Sequence, residues 1–170
     1  MRRLIPLAGL VAALAALPAP SVRATDAAAP IAVVVSAAQP RNVRPSDLAL
    51  IFRRKKLFWS DGSKVNPVNL PARSPLRGEF SRVVLGASPE ELEKYWNDMY
   101  FHGLPPPFVL GSDEAVLRFV AQTPGAIGYV SYCSVDTRVV VALVISTSGQ
   151  LSPDSGTISC GRSDSRKTPQ

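Results

Sequence analysis

The sequence predicts an α/β fold, a single layered domain in which helices pack on a small mixed sheet. Two observations predict it. Four short runs read as strands: Ile31–Val35 and Arg138–Ile145, which are rich in β-branched residues, and Val65–Leu70 and Ala126–Val130. The segments between them carry helix-start signals followed by apolar residues at three- and four-residue spacing. Strands interleaved with helices argue for layers of helix on sheet.

The chain opens on Arg2 and Arg3, and Leu4–Leu17 is apolar apart from Pro6 and Gly9. Pro18 and Pro20 follow, and Val22-Arg23-Ala24 offers compact residues to a signal peptidase. This is the layout of a secretory signal peptide, with cleavage expected after Ala24. The apolar run falls short of the roughly 20 residues that span a bilayer, and no later segment is long enough. Export to the periplasm or beyond the cell is therefore expected, with no membrane span after cleavage. Residues 25–30 read as a flexible leader and 31–145 as one domain. Residues 146–170, rich in Ser, Gly, Asp and Pro, read as a disordered tail.

Within the domain, Pro45 suits the first turn of a helix that presents Leu48, Ile51 and Phe52. Asp61-Gly62 is a turn signal ahead of the second strand. Ser74-Pro75 starts a second helix with serine as N-cap and proline at the first helical position; Phe80, Val83 and Val84 form its inner stripe. Ser88 and Glu91 form a capping box for a third, with Leu92, Tyr95, Trp96 and Met99 inward. After a rigid Gly103–Pro107 connection, Ser112-Asp113-Glu114 starts a fourth, which presents Ala115, Val116, Phe119 and Val120. Pro124-Gly125 turns the chain into the third strand.

The net charge is +6, and +3 once Arg2, Arg3 and Arg23 leave with the signal. The positive charge concentrates in residues 41–82, a half that attracts small oxyanions or acidic partners; Arg53-Arg54-Lys55-Lys56 reads equally as a solvated face. Nucleic acid is not an expected partner outside the cytoplasm. Cys133 and Cys160 read either as one disulfide in an oxidising compartment or as two unrelated thiols.

Catalytic signals are absent. The chain has one histidine, His102, in a Phe-His-Gly turn, and no Gly-x-Ser-x-Gly elbow. No His/Cys/Asp/Glu group has metal-ligand spacing, so no metal or cofactor is expected. Glu90, Glu91 and Glu93 suit a helix start, and Trp59, Tyr95, Trp96 and Tyr100 read as core. The sharpest feature is Leu70-Pro-Ala-Arg-Ser-Pro-Leu-Arg77, where a strand passes through a short loop into a helix. The free N–H groups of Leu76, Arg77 and Gly78, the Ser74 hydroxyl, and the Arg73 and Arg77 side chains would together make an oxyanion cradle. The ordinary alternative is a capped helix whose arginines face water.

Asp47-Leu-Ala-Leu-Ile-Phe52, Trp59-Ser-Asp-Gly62, Val65-Asn-Pro-Val-Asn69, Arg73-Ser-Pro-Leu-Arg77 with Phe80, and Gly125-Ala-Ile-Gly-Tyr-Val130 occur in that order. Together they resemble the phosphate-type substrate-binding proteins of ABC transporters, of type-2 periplasmic binding protein fold, from about Ile31 to Ser131. The resemblance implies a non-enzymatic protein that closes on a tetrahedral oxyanion such as phosphate, and places the anion loop at Arg73 and Ser74. The family's usual arginine followed by Ser-Gly-Thr is here Ser74-Pro75-Leu76-Arg77. Its members have two lobes, and this chain has residues for about one. Two functions follow: a solute-binding protein, or a single lobe that docks on an envelope protein or on a second copy of itself.

Overall fold

The computed structural model describes residues 29–154 together with Ile158 and Cys160. The expected signal peptide and most of the expected leader and distal tail lie outside the described residues. Six strands and four α-helices follow in the order β1 (Ile31–Ser36), α1 (Pro45–Phe52), β2 (Asn66–Asn69), α2 (Pro75–Phe80), α3 (Leu92–Phe101), β3 (Phe108–Val109), α4 (Asp113–Gln122), β4 (Ala126–Ser131), β5 (Val139–Ile145) and β6 (Leu151–Ser152). They build one mixed six-stranded sheet, order β3-β2-β4-β1-β5-β6, with helices packed on it. β2 runs parallel to both β3 and β4, whereas β1 is antiparallel to β4 and β5.

The centre of this sheet explains the uninterrupted apolar run of β1. All six of its residues are buried, as expected for a strand covered on both faces. Successive residues of β4 show what covers each face. Gly128 lies against Val116 and Val120 of α4, and the next residue, Tyr129, meets Phe52 of α1 and Phe80 of α2. Side chains alternate across a strand, so α4 covers one face and α1 with α2 the other.

Local chemistry starts the helices. Ser112 Oγ accepts from the Ala115 N–H at 3.2 Å, and Ser88 and Glu91 exchange reciprocal bonds of 2.7 and 3.2 Å ahead of α3. The end of α1 is less ordinary. The Lys55 N–H reaches the Leu50 carbonyl at 2.7 Å and the Arg54 N–H that of Ile51 at 2.9 Å, the paired bonds of a Schellman cap. The left-handed residue of such a cap is usually glycine; here it is Arg54, at φ 58°, the one non-glycine residue at positive φ among the described residues. The strain is about 1–2 kcal/mol.

Several elements differ from the sequence expectation. After Phe80 the helix widens into a π turn over Ser81–Leu85, which buries Ser81 and Leu85 and leaves the expected Val83 and Val84 half-buried. α3 buries only Leu92; Tyr95, Trp96 and Met99 are half-buried, and Tyr100 is 68% exposed instead of core. Phe101, the last residue of α3, is exposed as well. β3 is too short to leave a periodic signal. β6 lies inside the segment expected to lack order and pairs antiparallel with Val144 and Ile145. A disulfide joins Cys133, in the turn after β4, to Cys160, with Cα atoms 5.5 Å apart.

Candidate anion-binding site

Because β2, β3 and β4 run the same way, their carboxyl ends share one edge of the sheet. The chain leaves β2 to enter α2 and leaves β3 to enter α4, so both helices start at that edge. In open α/β sheets ligands gather outside the carboxyl ends of strands. Arg73, Ser74 and Arg77 lie there, in the loop after β2 and the first turn of α2.

Their environments differ. Arg73 is exposed, Ser74 half-buried, and Arg77 only 7% exposed. Ser74 occupies the N-cap position, yet its hydroxyl makes no capping bond. The expected set of free backbone donors is smaller by one, since the Gly78 N–H donates to the Ser74 carbonyl at 3.0 Å; among the described residues Leu76 and Arg77 have no backbone partner for theirs.

Arg77 is the unusual member. Its Nε and Nη1 are buried with no hydrogen-bond partner among the described residues. Every other described arginine except exposed Arg73 reaches a carboxylate or a backbone carbonyl. Arg77 instead stands beside the Tyr129 hydroxyl. Burial raises the pKa of that phenol above its ordinary value, and the Arg77 charge and its hydrogen bond oppose the rise. The Tyr129 hydroxyl also donates to Asn69 Oδ1 at 3.3 Å and accepts from the Leu70 N–H at 3.4 Å. Ser81, one turn beyond Arg77, has a buried hydroxyl without a partner.

Asn69, Tyr129 and Ser81 therefore join the site without having been read from the sequence. Asn69 left one signal, its place in the Val65-Asn-Pro-Val-Asn69 stretch that carries the resemblance. Nearby, Asp113 at the start of α4 accepts from the Ser131 N–H at 2.9 Å and the Ser134 hydroxyl at 2.8 Å.

The other sequence features lie elsewhere. In the basic cluster, Arg53 donates to the Leu85 carbonyl at 2.5 Å, Arg54 to that of Val65 at 3.3 Å, and Lys56 to Asp47 at 2.8 Å, which leaves Lys55 in water. His102 is exposed at the end of α3, with Nδ1 2.8 Å from the Asp98 carbonyl. Trp59 is core, its indole N–H bonded to the Gly125 carbonyl at 3.0 Å.

No protein-family model matches the chain, and no curated protein does. Solved structures do. An ABC-type phosphate transport receptor from Vibrio cholerae superposes with a TM-score of 0.55 at 24% identity, over 66% of this chain and 46% of the receptor. A putative phosphate ABC transporter substrate-binding protein from Clostridium perfringens, solved with bound phosphate, gives 0.53 at 21% identity, over 66% and 44%. The chain thus spans less than half the length of either. At these identities the likeness is one of fold, and the described domain has the architecture of one lobe of a periplasmic binding protein.

Proposed function

We propose that the chain is an exported solute-binding protein that holds phosphate or another small tetrahedral oxyanion through Arg77, with Ser74 and Arg73 beside it. The observation that carries this reading is the buried Arg77 guanidinium, with two of its nitrogens unpartnered among the described residues, at the carboxyl edge of parallel strands. A buried charge without a counter-ion costs several kcal/mol, and an anion that accepts from it removes that cost. The free Ser74 hydroxyl and the N–H groups of Leu76 and Arg77 supply further donors. The likeness to phosphate-transport proteins supports the same class of ligand. The signal-like Arg2–Ala24 segment supports export. A second wall for the site would come from an envelope partner or another copy of the chain.

Thermal unfolding tests the proposal, run in phosphate, sulfate and chloride at matched ionic strength. An oxyanion at about 100 times its dissociation constant adds about 2.7 kcal/mol, and raises Tm by roughly 5–10 °C for a domain of this size. Equal Tm values in all three salts at millimolar concentration would contradict it and turn attention to the single lobe as a docking module.

A further inference from the structure

A second cleft lies at the other end of β2, and the residues that line it have no role in the oxyanion site. Its volume is about 150 Å³, and its lining includes Arg54, Lys64, Asn66, Phe108 and the Pro105–Pro107 run. Asn66 begins β2, whereas Asn69, at the oxyanion site, ends it. Among the described residues no carboxylate lines the cleft. Lys64 is exposed and forms no ion pair among the described residues, and Arg54 donates only to the Val65 carbonyl, with its Nε unpartnered.

Apart from Asn66, the rest of the lining, Pro67, Pro105–Pro107 and Phe108, is apolar. Pro107 is buried, while Phe108 is 67% exposed, its ring tilted against Phe119 with centroids 6.2 Å apart. A cleft of about this volume accepts one benzene-sized ring. Two cations without a carboxylate favour a carboxylate on that ring. The backbone supports the same reading. Arg54 occupies the left-handed cap position where glycine carries no strain, and strain of this kind gathers where a side chain has work that a relaxed residue would not do.

We propose that this cleft binds a small aromatic carboxylate, with its ring against Phe108 and the proline run and its carboxylate between Lys64 and Arg54. The site lies apart from Arg77 and stands or falls independently of the oxyanion proposal. The probe is phenylacetate, titrated into the isotope-labelled full chain and followed by amide NMR at constant ionic strength, with acetate and benzyl alcohol as half-ligands. The expected result is saturable shifts at the Lys64, Asn66 and Phe108 amides with a dissociation constant on the order of 1 mM, and each half-ligand weaker by about tenfold or more. Lys64→Ala weakens binding about three- to tenfold, and Phe108→Ala does the same through the ring. Arg54→Gly is the cleaner variant, because glycine suits that backbone position and a loss of affinity there is not a loss of fold. The proposal is overturned if no shift saturates by about 20 mM, if acetate binds as tightly as phenylacetate, if the shifts map to Arg77 and Ser74, or if both Lys64→Ala and Arg54→Gly bind unchanged.

Discussion

Phe80 and Tyr129 lie face to face, with ring centroids 3.8 Å apart and planes within 5°, and this stack ties α2 to the central sheet. It holds the helix that carries Arg77 over the carboxyl end of β4. Both residues are fully buried, and Phe52 closes edge-on against Phe80 at 4.7 Å. Phe80→Ala is expected to cost about 3–5 kcal/mol. Tyr129→Phe keeps the stack but strips Asn69 and Leu70 of their partner, at about 1–3 kcal/mol. Urea unfolding of both variants gives these values, and a near-zero change for Phe80→Ala would show that the helix is held by other contacts.

Two glycines of the Gly125–Val130 segment are fixed by space. At Gly125, φ is 71°, and a Cβ would stand 2.1 Å from the Lys64 carbonyl oxygen; at Gly128 it would stand 2.6 Å from Val116 and 2.8 Å from Val68. Gly128→Ala overpacks the core by about 1–3 kcal/mol. Gly125→Ala meets backbone rather than movable side chains and is expected to be the worse of the two, seen as the lower Tm or the lower soluble yield.

Residues that share a local neighbourhood are legible from the chain alone. Ser88 with Glu91 and Ser112 with Ala115 meet within one turn, so sequence spacing identifies them. Packing explains the Gly-Ala-Ile-Gly-Tyr-Val segment behind the resemblance: Gly125 is fixed by a carbonyl, Gly128 by two valines, and Tyr129 by Phe80. What sequence does not show depends on distant partners. Arg77 is legible as a candidate at the start of α2, but its burial beside Tyr129 follows only from the stacking of Phe80 and Tyr129, far apart in the chain. The π turn at Ser81–Leu85 and the two-residue β3 are set by tertiary packing and leave no periodic trace. Tyr100 reads as core and is exposed, because residue type and helical spacing give a candidate face but not what packs against it.

Acid should destabilise the fold through Asp47. Its carboxylate accepts from Arg44 Nε and Nη2, both at 3.1 Å, and from Lys56 Nζ at 2.8 Å, and these bonds hold its pKa below the ordinary value, Arg44 contributing most. A depressed folded pKa means that the contribution is present above the unfolded value of about 3.9 and is lost as pH falls through the folded one. Asp47→Asn should cost about 1 kcal/mol at neutral pH and flatten the stability profile below about pH 4. An unchanged acid limb in the variant would assign that dependence to other carboxylates.

Reduction of the Cys133–Cys160 bridge, which closes a separation of 27 residues, is expected to cost about 3 kcal/mol. That corresponds to a Tm lower by roughly 10 °C. The double serine variant should reproduce the reduced value without reductant, and agreement of all three melting curves would show that the bridge adds nothing.

The most direct test of the oxyanion account is Arg77→Met, melted with and without phosphate and sulfate at matched ionic strength. Methionine fills much of the same volume without a charge to be compensated. The account predicts a variant at least as stable as the parent without anion, by up to about 1–3 kcal/mol, and a Tm that no longer rises with either oxyanion. A variant that keeps the parent's full oxyanion response, or a parent that shows none, would contradict it.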